Sequence, residues 1–204
     1  MRIGIDFDNT IVSYDALFHR VALERGLIPP DVPVNKSEVR NHLRRIGRED
    51  DWTEMQGYVY GPRLVEAEPF PGVLDFFKAC HAAGIEALII SHKTRHPYLG
   101  EKHDLHEAAR QWLESRRFHV EPIGLPRERV FLELTKEAKL QRIGACGCNY
   151  FIDDLPEFLA EAAFPTSAQR ILFDPANLYA DEKRFAVAQS WPQLQQRLIH
   201  AGGN

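Results

Sequence analysis

Two carboxylates spaced two residues apart, Asp6 and Asp8, directly follow a short apolar run near the start of the chain. In an extended segment residues i and i+2 face the same way, so both acids can converge on one point. Carboxylates held that close repel each other and need a compensating charge. A divalent cation is the simplest compensation, and hard oxygen ligands favour magnesium. The ordinary alternative is a pair of aspartates capping a tight turn. The pattern recurs at Ile152-Asp153-Asp154, where apolar residues again run straight into acids. A charge at such a strand end is costly to bury unless it is paired or metal-bound. Asp154 could instead cap a helix beginning near Leu155, a role that leaves Asp153 unexplained. If the two segments lie side by side, Asp6, Asp8 and Asp153 surround a single cation.

Two further positions fit the same chemistry. The apolar run 85–90 ends in Ser91, whose hydroxyl, followed by exposed amides, can bind phosphate oxygens at the loop that follows. The segment 130–134 ends in Thr135-Lys136, and a lysine at that edge can neutralise phosphate and nucleophile together. Taken singly, a strand-ending serine and a solvated lysine are the plainer readings. Lys139, one helical turn further on, competes with Lys136 for the role. Lys136 is preferred because it lies nearer the strand end.

These residues must be positioned by the elements around them. Strands are expected at 3–7, 85–90, 130–134, 150–152 and 170–173, with a short one at 185–188. Amphipathic helices fall between them, which argues for parallel strands joined by crossovers. Pro71-Gly72 opens one helix and Gly84 ends it. Leu105, Ala108, Ala109, Trp112 and Leu113 make a helical stripe. Thr135 can cap a helix that Gly144 closes, and Ser190 and Pro192 start the last one. From about residue 13 to 68 the pattern changes to helices without a strand. Stripes at Tyr14, Leu17, Phe18 and Val21, then Val39, Leu43 and Ile46, then Trp52, Met55 and Val59, stop near Gly26, Gly47 and Gly61.

The bulk numbers set bounds. A chain of 204 residues suits one domain with a modest insertion. Its 44% hydrophobic and 26% charged residues are ordinary for a globule that needs no disulfide or structural metal. A net charge of -4 is too mild to suggest a nucleic-acid surface, and it leaves an anionic substrate open. The 3 cysteines, Cys80, Cys146 and Cys148, form no four-cysteine zinc set and suit a reducing cytoplasm. No apolar run reaches the ~18 residues of a membrane span, and the N-terminus reads as a strand rather than a signal peptide.

The set Asp6-x-Asp8-x-Thr10, Ser91, Lys136 and Asp153-Asp154 resembles, in order and in strand placement, the four motifs of the haloacid dehalogenase superfamily. Phe70-Pro71-Gly72-Val73, followed by a helix and the run to Ser91, is also similar to that family. The resemblance implies a Rossmann-like three-layer α/β/α fold with a mostly parallel central sheet. It implies a catalytic core from residues 1–12 and 69–204 and a helical cap at 13–68. It implies that Asp6 attacks phosphorus and forms an aspartyl phosphate, and that Asp8 protonates the leaving oxygen and then activates water. Magnesium would be held by Asp6, the Asp8 backbone carbonyl, Asp153 and Asp154. Thr10 would steady the loop, while Ser91, the His92 amide and Lys136 hold the phosphoryl oxygens. Dehalogenase members lack an acid at position 8, so Asp8 places the resemblance with the phosphatases.

The expected substrate is a small phosphate monoester, a sugar phosphate or nucleotide monophosphate. Alternatives are a phosphotransferase using the same intermediate, or a non-catalytic binding protein on the same fold. No nucleic-acid or membrane partner is expected, and nothing in the sequence sets an oligomeric state. Within residues 13–68, Arg40, Arg44, Arg45 and Arg48 form either an anion-greeting face or, more simply, a solvated basic one. Tyr58, Tyr60 and Arg63 are candidates to line a pocket. His103 and His106, at i and i+3, are either a transition-metal pair or exposed helix residues.

Overall fold

A computed structural model describes residues 1–200, with residue 200 described by its backbone alone. The chain divides into two compact units. The first comprises residues 1–12, 69–92 and 117–204; the second comprises 13–68 and 93–116.

The first unit is built on six strands: β1 (Arg2–Ile5), β4 (Glu86–His92), β5 (Val130–Glu133), β6 (Tyr150–Asp153), β7 (Gln169–Phe173) and β8 (Ala186–Ala188). Their spatial order is β5-β4-β1-β6-β7-β8 and every neighbouring pair is parallel. All six expected strands are present, and the sheet is wholly parallel rather than mostly so. Helices α4 (Val73–Ala82), α6 (Lys136–Ala145), α7 (Pro156–Leu159) and α8 (Trp191–Gln195) flank it, giving the α/β architecture foreseen. The caps are those the sequence announced: Thr135 Oγ1 accepts from the Ala138 amide, and the Ser190 side chain accepts from that of Gln193.

Packing explains why the strands read as unbroken apolar runs. One core cluster gathers Leu88, Ile90, Leu140, Ile143, Phe151, Phe158 and Leu172. Elsewhere Phe76 meets Trp191 at 4.9 Å between ring centroids, and Phe173 meets the same indole at 5.5 Å. Gly4 in β1 is needed for close approach: a Cβ there would lie 2.6 Å from Phe151 Cδ2. Because β4 and β6 lie on opposite sides of β1, the strand order reverses there. Open parallel sheets bind ligands beyond the carboxyl ends of the strands at such a reversal.

The second unit holds α1 (Asp15–Glu24), α2 (Lys36–Arg45), α3 (Glu49–Tyr60) and α5 (Leu105–Ser115). Two short strands, β2 (Val12–Ser13) and β3 (Glu68–Pro69), stand where the chain passes from one unit to the other and back. The sequence showed no strand there, because two residues carry no period. Gly26 and Gly47 adopt the left-handed conformation just past α1 and α2, as stop signals should. The apolar stripes face inward, with Leu17, Phe18, Val39, Leu43, Trp52, Met55 and Val59 buried. Sequence reading assigned residues 93–116 to the 69–204 segment, whereas by contact they cluster with 13–68. Within that grouping, Trp112 Nε1 donates to Ala67 O at 2.8 Å. Gly57, inside α3, lets the 93–104 loop close in: a Cβ there would sit 2.5 Å from Pro97 Cβ. Among the described residues no helix is long and apolar enough to cross a membrane.

Candidate active site

Asp6 follows the last residue of β1, and its backbone amide donates to Ile152 O at 2.9 Å, so the tips of β1 and β6 are tied together. That tie explains how two acids far apart in sequence share one place. Asp153 ends β6, and both carboxylates are buried. The chain then turns sharply. Asn9 takes a positive φ of 56°, which asparagine tolerates better than most residues, and the amides of Ile11 and Val12 both donate to Phe7 O. The turn leaves Thr10 fully buried, its hydroxyl 3.4 Å from Asp154 Oδ1 and its carbonyl accepting from Trp191 Nε1 at 3.2 Å.

One ammonium joins the two acids. Lys139 Nζ donates to Asp6 Oδ1 at 2.6 Å and to Asp153 Oδ2 at 2.6 Å. Lys139 is 3% exposed and its ammonium lies 4.1 Å from the Phe158 ring centroid, so the charge reaches the acids along an apolar wall. Lys136, the residue preferred from sequence, is exposed at the first position of α6 and makes neither contact. The correction has a helical cause. Lys139 lies on the inward stripe with Leu140 and Ile143, whereas Lys136 precedes that stripe at the capped end. A lysine set within an apolar stripe was the available signal, and it outranks nearness to the strand end.

The roles of the paired acids also differ from expectation. It is Asp153, not Asp154, that takes a helix-entry amide: Leu155 N donates to Asp153 Oδ1 at 2.9 Å. Asp153 therefore has one oxygen on Lys139 and the other on the backbone. Asp154 is half-buried and turned toward Thr10. Carboxylate oxygens of Asp6, Asp153 and Asp154 lie within 4.8 Å of one another. The Asp8 carboxylate is outside that set, which leaves its backbone carbonyl as the metal ligand implied by the resemblance.

Electrostatics follow from this crowding. Burial pushes the Asp6 carboxyl up to about 7; Lys139 opposes the rise, and Asp153 and Asp8 add to it. Burial works against the Lys139 charge, but Asp153 and Asp6 outweigh it and hold the ammonium above the usual lysine range. One cation facing several anions leaves an excess of negative charge. The three clustered carboxylates are thus suited in geometry, charge and oxygen chemistry to a hard divalent cation.

Ser91 is buried at the tip of β4, level with Leu132 of β5, and half-buried His92 follows it. Burial lowers the His92 pKa; a hydrogen bond with the Leu134 backbone opposes the fall, and Lys139 and Lys136 add to it. Ser91, His92 and Lys139 therefore come from the tips and first turn that follow the same sheet edge as Asp6. His103 and His106 form no metal site among the described residues: His106 is buried with Nε2 at 2.7 Å from Lys93 O. Arg40 and Arg44 of α2 both pair with Glu49, and Arg48, at the start of α3, pairs with Asp51. Arg63 likewise pairs with Glu24 and Glu66.

No protein-family model matches the sequence, and a search among curated proteins gives no significant match. Solved structures do match in fold. A HAD-superfamily hydrolase from Ehrlichia chaffeensis aligns with a TM-score of 0.58 at 11% identity, covering 100% of this chain and 97% of that one. A HAD family hydrolase from Deinococcus radiodurans R1, solved with bound phosphate and sodium, gives 0.54 at 17% identity, covering 98% and 96%. A dehalogenase gives 0.54 at 13% identity, covering 97% and 96%. The chain has the fold of the haloacid dehalogenase-like hydrolases.

Proposed function

We propose that this chain is a magnesium-dependent phosphatase acting on small phosphate monoesters, with Asp6 as the covalent nucleophile. The observation that carries the reading is the Asp6–Lys139–Asp153 arrangement, a buried carboxylate held at a strand tip beside two further carboxylates. Asp6, Asp153 and Asp154 would hold the cation, with the Asp8 carbonyl. Bound there, magnesium supplies positive charge that offsets repulsion between an anionic nucleophile and an anionic ester.

The protein's own groups would act as follows. Asp6 forms a bond to phosphorus as the ester oxygen leaves, and Asp8 gives that oxygen a proton. Water then attacks the phosphorus, Asp8 takes back a proton, and Asp6 is released with inorganic phosphate. Lys139 keeps Asp6 in one orientation, and Ser91 and the His92 amide hold phosphoryl oxygens. The helices of residues 13–68, inserted after β1, would serve as the cap that the resemblance implies, favouring small substrates.

Since fold neighbours include both hydrolases and a dehalogenase, the leaving group decides between chemistries. Halide departs as a weak base and needs no proton, whereas an alkoxide needs a general acid. The presence of Asp8 favours the ester. Transfer to an alcohol instead of water uses the same groups and is separated by product analysis with an added acceptor. The test is phosphate release from p-nitrophenyl phosphate and a panel of metabolite phosphates, with magnesium and with EDTA. Magnesium-dependent release that is lost in Asp6→Asn and reduced about 10²–10⁴-fold in Asp8→Asn supports the reading. Release indifferent to either substitution would remove these residues from the reaction.

A further inference from the structure

The turn that carries Asp8 is held by a residue near the far end of the chain. Trp191 opens α8 and is fully buried, and its Nε1 donates to Thr10 O at 3.2 Å. The two residues are 181 positions apart, yet both belong to the first unit. A buried indole usually finds an acceptor, so the bond by itself is ordinary. The place of its acceptor is not. Thr10 stands at the apex of the turn 7–12, two residues after Asp8. Asn9 is in the left-handed region there, and Asp8 bridges to Val12.

The foot of the turn is tied by backbone bonds. The Ile11 and Val12 amides donate to Phe7 O, and the Phe70 amide donates to Ile11 O at 2.9 Å. The apex is tied differently. The Thr10 hydroxyl meets Asp154 Oδ1 at 3.4 Å, a long contact, and the indole supplies the shorter one at the carbonyl. The indole is itself firmly seated. Phe76 of α4 and Phe173 of β7 lie 4.9 and 5.5 Å from it between ring centroids. Gly72, at a φ of 86°, makes room for it: a Cβ there would lie 3.3 Å from Trp191 Cβ and 2.9 Å from Pro192 Cδ. Ser190 caps the helix that Trp191 begins. A rigid donor of this kind fixes the group it holds.

We infer that Trp191 is a positioning residue, whose Nε1–H, through Thr10 O, holds the turn that aims the Asp8 carboxyl at the leaving oxygen. This rests on the phosphatase reading, with Asp8 as its proton donor. Trp191 touches no reacting atom and moves no proton. The proton of the Asp8 carboxyl passes to the ester oxygen as the bond from that oxygen to phosphorus breaks. Misplacing a catalytic group by about 1 Å costs about 10²-fold, which sets the size of the effect.

The test is leaving-group dependence. An alkoxide needs a proton to depart, whereas p-nitrophenolate is a weak base and needs little help. Trp191→Phe keeps an aromatic ring and removes the donor. At saturating magnesium it should lower kcat/KM about 10–100-fold for the alkyl phosphate that wild type turns over fastest, and about 3-fold or less for p-nitrophenyl phosphate. In an Asp8→Asn background the same substitution should change the alkyl-ester rate by less than about 3-fold, because the group it aims is gone. Equal losses on both esters, no loss on either, or a full further loss in Asp8→Asn overturns the inference and leaves the phosphatase reading standing. Should Trp191→Phe not fold, as judged by circular dichroism, 3-benzothienylalanine at position 191 decides, since it keeps the two-ring shape without the N–H. A second arm needs no turnover: amide hydrogen exchange without magnesium. In Trp191→Phe the Ile11 and Val12 amides should exchange at least about 10-fold faster, while those of β1 and β6 stay within about 3-fold of wild type. That pattern supports the tie even if wild type hydrolyses no ester. Exchange raised equally in all these segments, or in none, counts against it.

Discussion

The two units each bring lysine ammonium groups against aromatic rings, but in different company. In the first, Lys139 lies over Phe158 and is shared by Asp6 and Asp153, with Asp154 close by. In the second, Lys36 and Lys93 share the face of Tyr60. The difference is one of compensation. A lysine outnumbered by carboxylates leaves negative charge for a metal to meet, while in the second unit the ammonium groups stand against aromatic rings. The acid site is also more deeply committed. Asp153 is fully buried with both oxygens engaged, whereas Lys36 and Tyr60 keep contact with solvent. The first arrangement suits chemistry at a fixed point.

The contrast can be tested at its strongest point first. Asp6→Asn should reduce kcat by on the order of 10⁴-fold or more with magnesium present, while the circular dichroism spectrum stays that of the wild type. A variant retaining a tenth of the activity would mean that the acid site is not the chemical one. Next, Lys139→Met leaves buried carboxylates without their ammonium and should cost about 3–5 kcal/mol in urea denaturation. A loss below about 1 kcal/mol would show that the buried pair is not needed to hold the strand tips.

The third test uses pH. The folded Asp6 carboxyl is raised to about 7 from an ordinary 3.8, so the folded protein binds that proton more tightly than the unfolded chain. The resulting stability is complete below about pH 4 and is lost as pH rises to about 7. In chelator, wild-type stability should fall across that window by up to about 4 kcal/mol. Asp6→Asn should flatten the slope and make the metal-free protein more stable than wild type at pH 8, and magnesium should stabilise wild type far more than the variant. A wild-type curve that is flat from pH 4 to 7 would contradict the crowding of charge described for Asp6. The smallest effect belongs to Lys136→Met, expected within about 0.5 kcal/mol of wild type because the side chain is exposed. If Lys136→Met proved as damaging as Lys139→Met, the assignment of the bridging lysine would be reversed.

Much of the acid site was legible before any coordinates, and the reason is local. Asp6, Asp8, Asp153 and Asp154 each follow an apolar run, and charge abutting a buried strand demands a function. The six strands were legible for the same reason, since parallel strands buried on both faces read as continuous apolar segments. Their ends moved by one or two residues, as β1 stopping at Ile5 shows.

What the linear order could not decide was which side chain turns where. Lys136 and Lys139 are one helical turn apart, and only the packing of α6 against Phe151 and Phe158 shows that Lys139 points to the acids. The exchange of roles between Asp153 and Asp154 depends on the backbone direction after β6. The grouping of residues 93–116 with 13–68 rests on contacts such as Trp112 to Ala67, 45 residues apart. The convergence of Lys36, Tyr60 and Lys93 joins three segments that carry no common motif. Composition and period along the chain determine which residues are buried and which strand tips carry acids. Partnership between distant side chains is settled only when the helices and loops have taken their places in three dimensions.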